Sequence, residues 1–236
     1  MKDVFFIICV FFLAVPVRIQ AQETEIKDYL DRSGAAVLLY TGKEEWKSPF
    51  LIRGHPYLDT DEYREGELMF AGRIYPGVRV RLNTYTDELS ILSPLHNGII
   101  VPSDRIEYAR FPEYTIIYNR QFPSDEVKAG SALPPGYYAR ITTKNHAVYR
   151  REIRDLVTKS ENLQSEWVFN IRSRLYIYKD GIYHSVGSKG SVLKLFRDRR
   201  RELNRYASQE RLNFRDDRVN SIVALVGYYE SMTENQ

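Results

Sequence analysis

Residues 66–92 read GELMFAGRIYPGVRVRLNTYTDELSIL. Leu68 and Phe70 alternate with Glu67 and Met69, and Val78, Val80 and Leu82 alternate with Arg79, Arg81 and Asn83. Every second side chain of a strand points to the same face, so the alternation predicts half-buried β-strands. Ala71-Gly72 supplies a turn between the first two, and Thr86-Asp87-Glu88 turns the chain into Leu89–Leu92. Strands joined by turns this short form an antiparallel meander.

The pattern continues on both sides. Downstream, His96-Asn97-Gly98 carries an Asn-Gly hairpin signal. Ile99–Val101, Arg105–Phe111 and Tyr114–Tyr118 read as further strands, with Pro102 and Pro112 confining their ends to edges or bulges. Upstream, Thr24–Asp31 is a short amphipathic opening and Ala35–Tyr40 an apolar strand-like run. Tyr137–Thr143 and Ala147–Arg150 flank the polar turn Lys144-Asn145-His146. Leu175–Tyr178 and Ile182–Val186 flank Lys179-Asp180-Gly181, the strongest hairpin signal in the chain. Tyr176 and Tyr178 share one strand face, opposite Leu175 and Ile177, and the C-terminal helices are their expected cover.

Those helices end the chain. Ser191 is positioned to cap a helix over Val192–Gln209, with Val192, Leu195, Phe196, Leu203 and Tyr206 as its apolar stripe. A second helix over Asp216–Ser231 would bury Val219, Ile222, Val223 and Val226. Asn213 is its expected cap, and Asp216 and Asp217 suit the positive end of its dipole. The fold class read from the chain is α+β: an antiparallel β meander region followed by a β-hairpin unit packed with two C-terminal helices.

Composition bounds the setting. Met1–Ala21 has a lysine near its start, a twelve-residue apolar run Val4–Val15, Pro16, and a small residue before a cut at Gln22. The run is too short to span a bilayer and reads as a cleaved signal peptide. The protein is expected to be exported, to the periplasm, the outer membrane or the medium. Cys9, the only cysteine, leaves with the signal, so the mature chain has neither disulfide nor thiol chemistry. Hydrophobic residues make up 43% and charged residues 28%, which places the remainder among globular chains. Residues 22–133 hold 13 basic and 18 acidic side chains, a net −5; residues 134–236 hold 19 and 12, a net +7. The change falls in the Pro- and Gly-punctuated segment Pro123–Gly136. Three parts follow: a signal peptide (1–21), an acidic β-rich region (22–133) and a basic α+β region (134–236).

Catalytic signatures are scarce. His55, His96, His146 and His184 stand alone, without a His-Glu-x-x-His helix or a cysteine cluster, so no metal site is expected. Ser191-Val-Leu-Lys194 matches Ser-x-x-Lys in letters only, and a helix cap explains Ser191 better. Asp59, Asp61 and Glu62, with Asp87 and Glu88, are the acids that could serve as a glycosidase pair. No Gly-rich phosphate loop follows any strand, and no cofactor is expected. Lys194, Arg197, Arg201 and Arg205 are spaced three, four and four apart, which places them on one face of a continuous helix. Export turns such a face away from nucleic acid and toward an envelope protein or an anionic glycan or lipid.

Two stretches carry a resemblance. His55-Pro-Tyr-Leu through Phe70-Ala-Gly-Arg-Ile-Tyr and Val80-Arg-Leu-Asn-Thr-Tyr to Asp87-Glu-Leu is one. Pro135-Gly-Tyr-Tyr through Tyr178-Lys-Asp-Gly-Ile-Tyr to Leu195-Phe-Arg-Asp, Leu212-Asn-Phe and Tyr228-Tyr-Glu is the other. Together they resemble an uncharacterised family of exported proteins from Bacteroidota-type Gram-negative bacteria, over most of the mature chain. The resemblance implies an envelope setting and a strand-then-helix layout; it implies no activity and no functional residue. The expected role is a non-enzymatic binding or assembly module for a protein partner or an anionic envelope surface. The alternative is a hydrolase that attacks envelope glycan or peptide through paired carboxylates.

Overall fold

The computed structural model describes residues 39–45, 51–120, 132–161 and 164–233. The segment Met1–Ala21 expected to be a signal peptide, the Thr24–Asp31 opening and most of the Ala35–Tyr40 run lie outside the described residues, as does most of the Pro123–Gly136 segment. Leu39 and Tyr40 are not strand. The account below concerns 43–236, one compact unit.

Among the described residues twelve strands form one sheet: β1 Lys43–Glu44, β2 Ile52–Arg53, β3 Arg64–Phe70, β4 Arg73–Asn83, β5 Glu88–Leu92, β6 Gly98–Ile100, β7 Ile106–Arg110, β8 Thr115–Asn119, β9 Gly136–Thr142, β10 Ala147–Glu161, β11 Gln164–Lys179 and β12 Ile182–Val186. Their order is β1-β6-β5-β4-β3-β7-β8-β9-β10-β11-β12, antiparallel throughout, with β2 added in parallel beside β11. β8 of the acidic half pairs with β9 of the basic half, so the two charge regions share the sheet. Buried partners run across it: Leu68 opposes Ala109, Ala109 opposes Ile116, and Ile116 opposes Ala139.

β3 is irregular twice. Register shifts between Gly66 and Leu68 and between Met69 and Phe70 add local twist. Gly66 is required at the first: a Cβ there would sit 2.7 Å from the carbonyl oxygen of Arg110. The β4–β5 turn meets later strands. Asp87 Oδ1 accepts from the Tyr137 amide (3.3 Å), and the Arg154 amide donates to the Thr84 carbonyl (3.1 Å). Burial pushes the Asp87 carboxyl above its ordinary range, against the Tyr137 amide and the Arg151 charge.

Three helices follow: α1 Lys189–Leu195, α2 Arg200–Gln209 and α3 Arg218–Thr233. They cover Val148, Leu175, Ile177 and Val186 of the sheet with Val192, Phe196, Leu203, Ile222, Leu225 and Val226. Each such side chain withdrawn from water contributes about 1.5–3 kcal/mol. The continuous helix predicted from Val192 to Gln209 is interrupted. Phe196 leaves helical geometry (φ −106°, ψ 53°), and a 3-10 turn, Arg197–Arg199, precedes α2. Its ring is sunk against Tyr229, 4.2 Å between centroids, and against His146, 5.6 Å. The cap is Ser188, not Ser191. Ser188 Oγ accepts from the Ser191 amide (3.3 Å) while Ser191 Oγ accepts from the Ser188 amide (3.1 Å), a reciprocal capping box. Asn213 instead closes the turn before α3, its Oδ1 accepting from the amides of Arg215 and Asp216.

α3 is fastened by one buried carboxylate. Glu230 accepts from Thr143 Oγ1 (2.8 Å), the Lys144 and Asn145 amides (both 2.9 Å) and His146 Nδ1 (2.7 Å), all from the β9–β10 turn. Burial alone would raise its pKa. The hydrogen bonds from His146, Thr143, Asn145 and Lys144 outweigh burial and hold it below the ordinary carboxylate value.

The helices do not cover the tyrosine face, contrary to expectation. Leu175 and Ile177 point to the helices, and the period of two sends Tyr176 and Tyr178 to the other side. There Tyr176 meets Tyr138 (6.2 Å) and Tyr178 meets Tyr183 (4.7 Å).

Candidate functional site

β10 and β11 run far past their neighbours. β9 pairs with β10 only as far as Arg150, and β12 pairs with β11 only from Leu175 onward. The hairpin beyond them is a two-stranded arm, met by β2 at Trp167 and Val168. On β11, Trp167, Phe169 and Ile171 continue the face that Leu175 and Ile177 present to the helices.

A groove of about 870 Å³ opens against this arm. Trp167, Phe169 and Leu156 of the arm form one side, and Leu51, Ile52, Pro56 and Tyr57 lie along another. Tyr85, from the β4–β5 turn, meets Phe169 edge-on at 5.7 Å. Asn83 sets that turn, its Oδ1 accepting from the amides of Tyr85 (3.0 Å) and Thr86 (3.1 Å). Trp167 and Tyr85 are both nearly half exposed. A concave apolar surface of this size with open aromatic rings suits a small ligand.

Residues 55–58 lie along the end of β4. The Leu58 amide donates to Leu82 O (2.9 Å), and the Thr84 amide donates to Pro56 O (2.8 Å). Arg154, 5% exposed, pins the same segment: Nη1 donates to His55 Nδ1 (2.8 Å) and to the His55 carbonyl, and Nη2 pairs with Glu152 (2.9 Å). The Tyr57 amide also donates to His55 Nδ1 (3.2 Å), so this nitrogen is an acceptor and the imidazole is neutral. Burial first, then the Arg154 charge, lowers the His55 pKa.

At the groove's polar corner the Arg81 guanidinium lies between two rings, 3.6 Å from the centroid of Tyr57 and 4.0 Å from that of Tyr63. Arg81 Nη2 pairs with Glu45 Oε2 (2.6 Å), which also accepts from the Tyr63 hydroxyl (2.7 Å). Burial pushes both tyrosines up to about 12, with Glu45 acting in the same direction. Only 7% of the Glu45 side chain is exposed, and its Oε1 is buried with no hydrogen-bond partner among the described residues. Gly98 makes room for it: a Cβ there would lie 2.6 Å from Glu45 Oε2 and would collide with the Tyr63 hydroxyl.

No family model, curated protein or solved structure matches the chain.

The basic residues singled out in the sequence fall on different elements. Lys194 is on α1, Arg197 on the 3-10 turn, and Arg201 and Arg205 on α2; all four are exposed. The break at Phe196 removes the continuous helix that would have aligned them. Lys194 and Arg197 border a polar depression of about 610 Å³ with Lys179 and His184, but Asp180 and Asp198 line it too. The candidate acids are dispersed, and of the five only Glu88 lines the groove. Asp59 accepts from Arg150 Nη2 (2.6 Å) and the Tyr114 hydroxyl (2.9 Å), Asp87 is held as described above, and Asp61 and Glu62 are exposed. Among the described residues no three His, Cys, Asp or Glu side chains converge on a metal-sized site, and no helix is long and apolar enough to cross a membrane.

Of the groove's side chains the sequence singled out Glu88, as a candidate acid, and none of the aromatic rings. Trp167 and Phe169 sit in a charged stretch without a turn signal, and apart from Leu156 their groove partners are more than 60 positions away. The available signal is the alternation of Trp167, Phe169 and Ile171 with Val168 and Asn170, continuing in register with Leu175 and Ile177.

Proposed function

We propose that this protein is a non-enzymatic binding module of the cell envelope whose groove takes a small ligand with an extended apolar or aromatic body. The observation that carries the reading is the wall formed by Tyr57, Tyr85, Trp167 and Phe169 around about 870 Å³. These rings remain open where the same strand face, farther along, is sealed by helices. The export expected from Met1–Ala21 and the family resemblance supply the envelope setting. The basic side chains support an anionic-surface role less well, because they are divided among α1, the 3-10 turn and α2.

The test is titration of 8-anilinonaphthalene-1-sulfonate into the mature chain. The reading expects saturable binding of one dye per chain, weakened about tenfold by Phe169→Ala or Trp167→Ala through lost ring contact. Saturation unaffected by either change, or an absence of saturable binding, would overturn it.

A further inference from the structure

Glu88 gives the groove a charge preference. It opens β5, where it stands opposite Asn83 in the ladder with β4, and both residues line the groove. Leu89 and Ile91 point into the core, so the period of two sends Glu88 to the other face with Ser90. That face is the groove's: Ser90 opposes Arg81, and its hydroxyl lies 3.4 Å from that of Tyr63 at the polar corner. Glu88 is half-buried, and its oxygens are not sealed from solvent. Among the described residues its carboxylate has no ion pair and no hydrogen bond.

Two other charged side chains line the groove, and neither answers Glu88. Glu45 is committed to Arg81 and Tyr63. Lys43 is exposed and lies two strands away, opposing Ile100, which in turn opposes Ser90. With strands about 4.8 Å apart and a rise of about 3.4 Å per residue, the two backbones are about 12 Å apart. Water screens an exposed charge at that range, since the Debye length is about 8 Å at physiological salt. The walls act with the acid. Tyr85, Trp167 and Phe169 carry negative charge on their ring faces, which attract cations. A cation is favoured by the carboxylate and the rings alike, and an anion by neither.

We infer that the groove selects an organic cation, with an ammonium group beside the Glu88 carboxylate and an apolar or aromatic body against Tyr85, Trp167 and Phe169. This rests on the groove being a ligand site. The walls hold the body, and Glu88 sets its orientation by the charged end. Neutral ligands of the same shape leave the carboxylate unpaired and bind more weakly.

The experiment compares 2-naphthylmethylamine with 2-naphthalenemethanol by calorimetry on the mature chain at neutral pH. The two share size and ring system, and only the first is charged. Wild type should bind the amine about tenfold more tightly, as expected of a charge-assisted hydrogen bond to a carboxylate. Glu88→Gln keeps the shape and removes the charge, so it should bring the ratio to about one while leaving the alcohol's affinity unchanged. Equal binding of the two probes by wild type would overturn the cation preference and leave the groove reading intact. A preference that survives in folded Glu88→Gln would overturn the role of Glu88, because it would come from the protein's surface at large. Binding of neither probe would remove both the preference and the groove reading. The wild-type comparison needs no variant, so the inference stays open to refutation even if Glu88→Gln fails to fold.

Discussion

The two ends of the β10–β11 hairpin make a natural experiment. They belong to the same strands and present the same face. At Leu175 and Ile177 that face is covered by α1, α2 and α3 and is no more than 1% exposed. At Trp167 and Ile171 the exposures are 47% and 54%. What separates the ends is the second layer. Helices cover the near end, while the far end is met by a two-residue strand, a turn and a short extended segment. An apolar strand face is thus core or open surface according to its cover, and composition alone does not distinguish them.

Substitution along this one face should show the contrast. Leu175→Ala is expected to cost about 3 kcal/mol in urea denaturation, because it opens a cavity beneath fixed helices. Phe169→Ala should cost about 1 kcal/mol or less while still weakening dye binding. Equal losses of stability at the two positions would break the comparison.

Glu230 sharpens it from the covered end. Glu230→Gln should lower stability by about 2 kcal/mol at neutral pH, since a neutral amide cannot accept from all four donors of the β9–β10 turn. The folded pKa lies below the ordinary 4.5, so the carboxylate's contribution is complete above that value and is lost as pH falls through the folded one. Melting curves of wild type and variant should converge on acidification below pH 4.5. A constant gap would show that Glu230 does not act through its charge.

The smallest effect belongs to the open end. Asn83→Ala frees the amides of Tyr85 and Thr86 and should cost about 1 kcal/mol, with dye binding reduced as Tyr85 loses its fixed position. Unchanged binding would mean that Tyr85 is not part of the working wall.

Much of the sheet was legible. Period-two runs bounded by Gly, Asn and Asp marked β3, β4, β5, β9 and β12, because local alternation and turn chemistry are local properties. Residues 151–174 were not legible. Arg151, Glu152, Arg154, Asp155 and Lys159 hide the alternation beneath charges, and two of these are met by partners distant in sequence, Arg154 by His55 and Arg151 by Asp87. The break at Phe196 was hidden for the same reason: the ring follows Tyr229 and His146, and helix propensity carries no trace of either. The groove was least visible. Glu45, Tyr57, Asn83 and Trp167 come from four separate places in the chain, and no spacing rule connects them.

Ile52 pairs with Trp167 across 115 positions. Most other pairings in the sheet join neighbours in sequence, so they close short loops, and the long closure at β2 has little to gain until both the arm and β4 exist. The order of assembly follows. The helix-covered end should acquire protection from hydrogen exchange first, and the wall beside Trp167 should be among the last parts of the fold to form and the first to open.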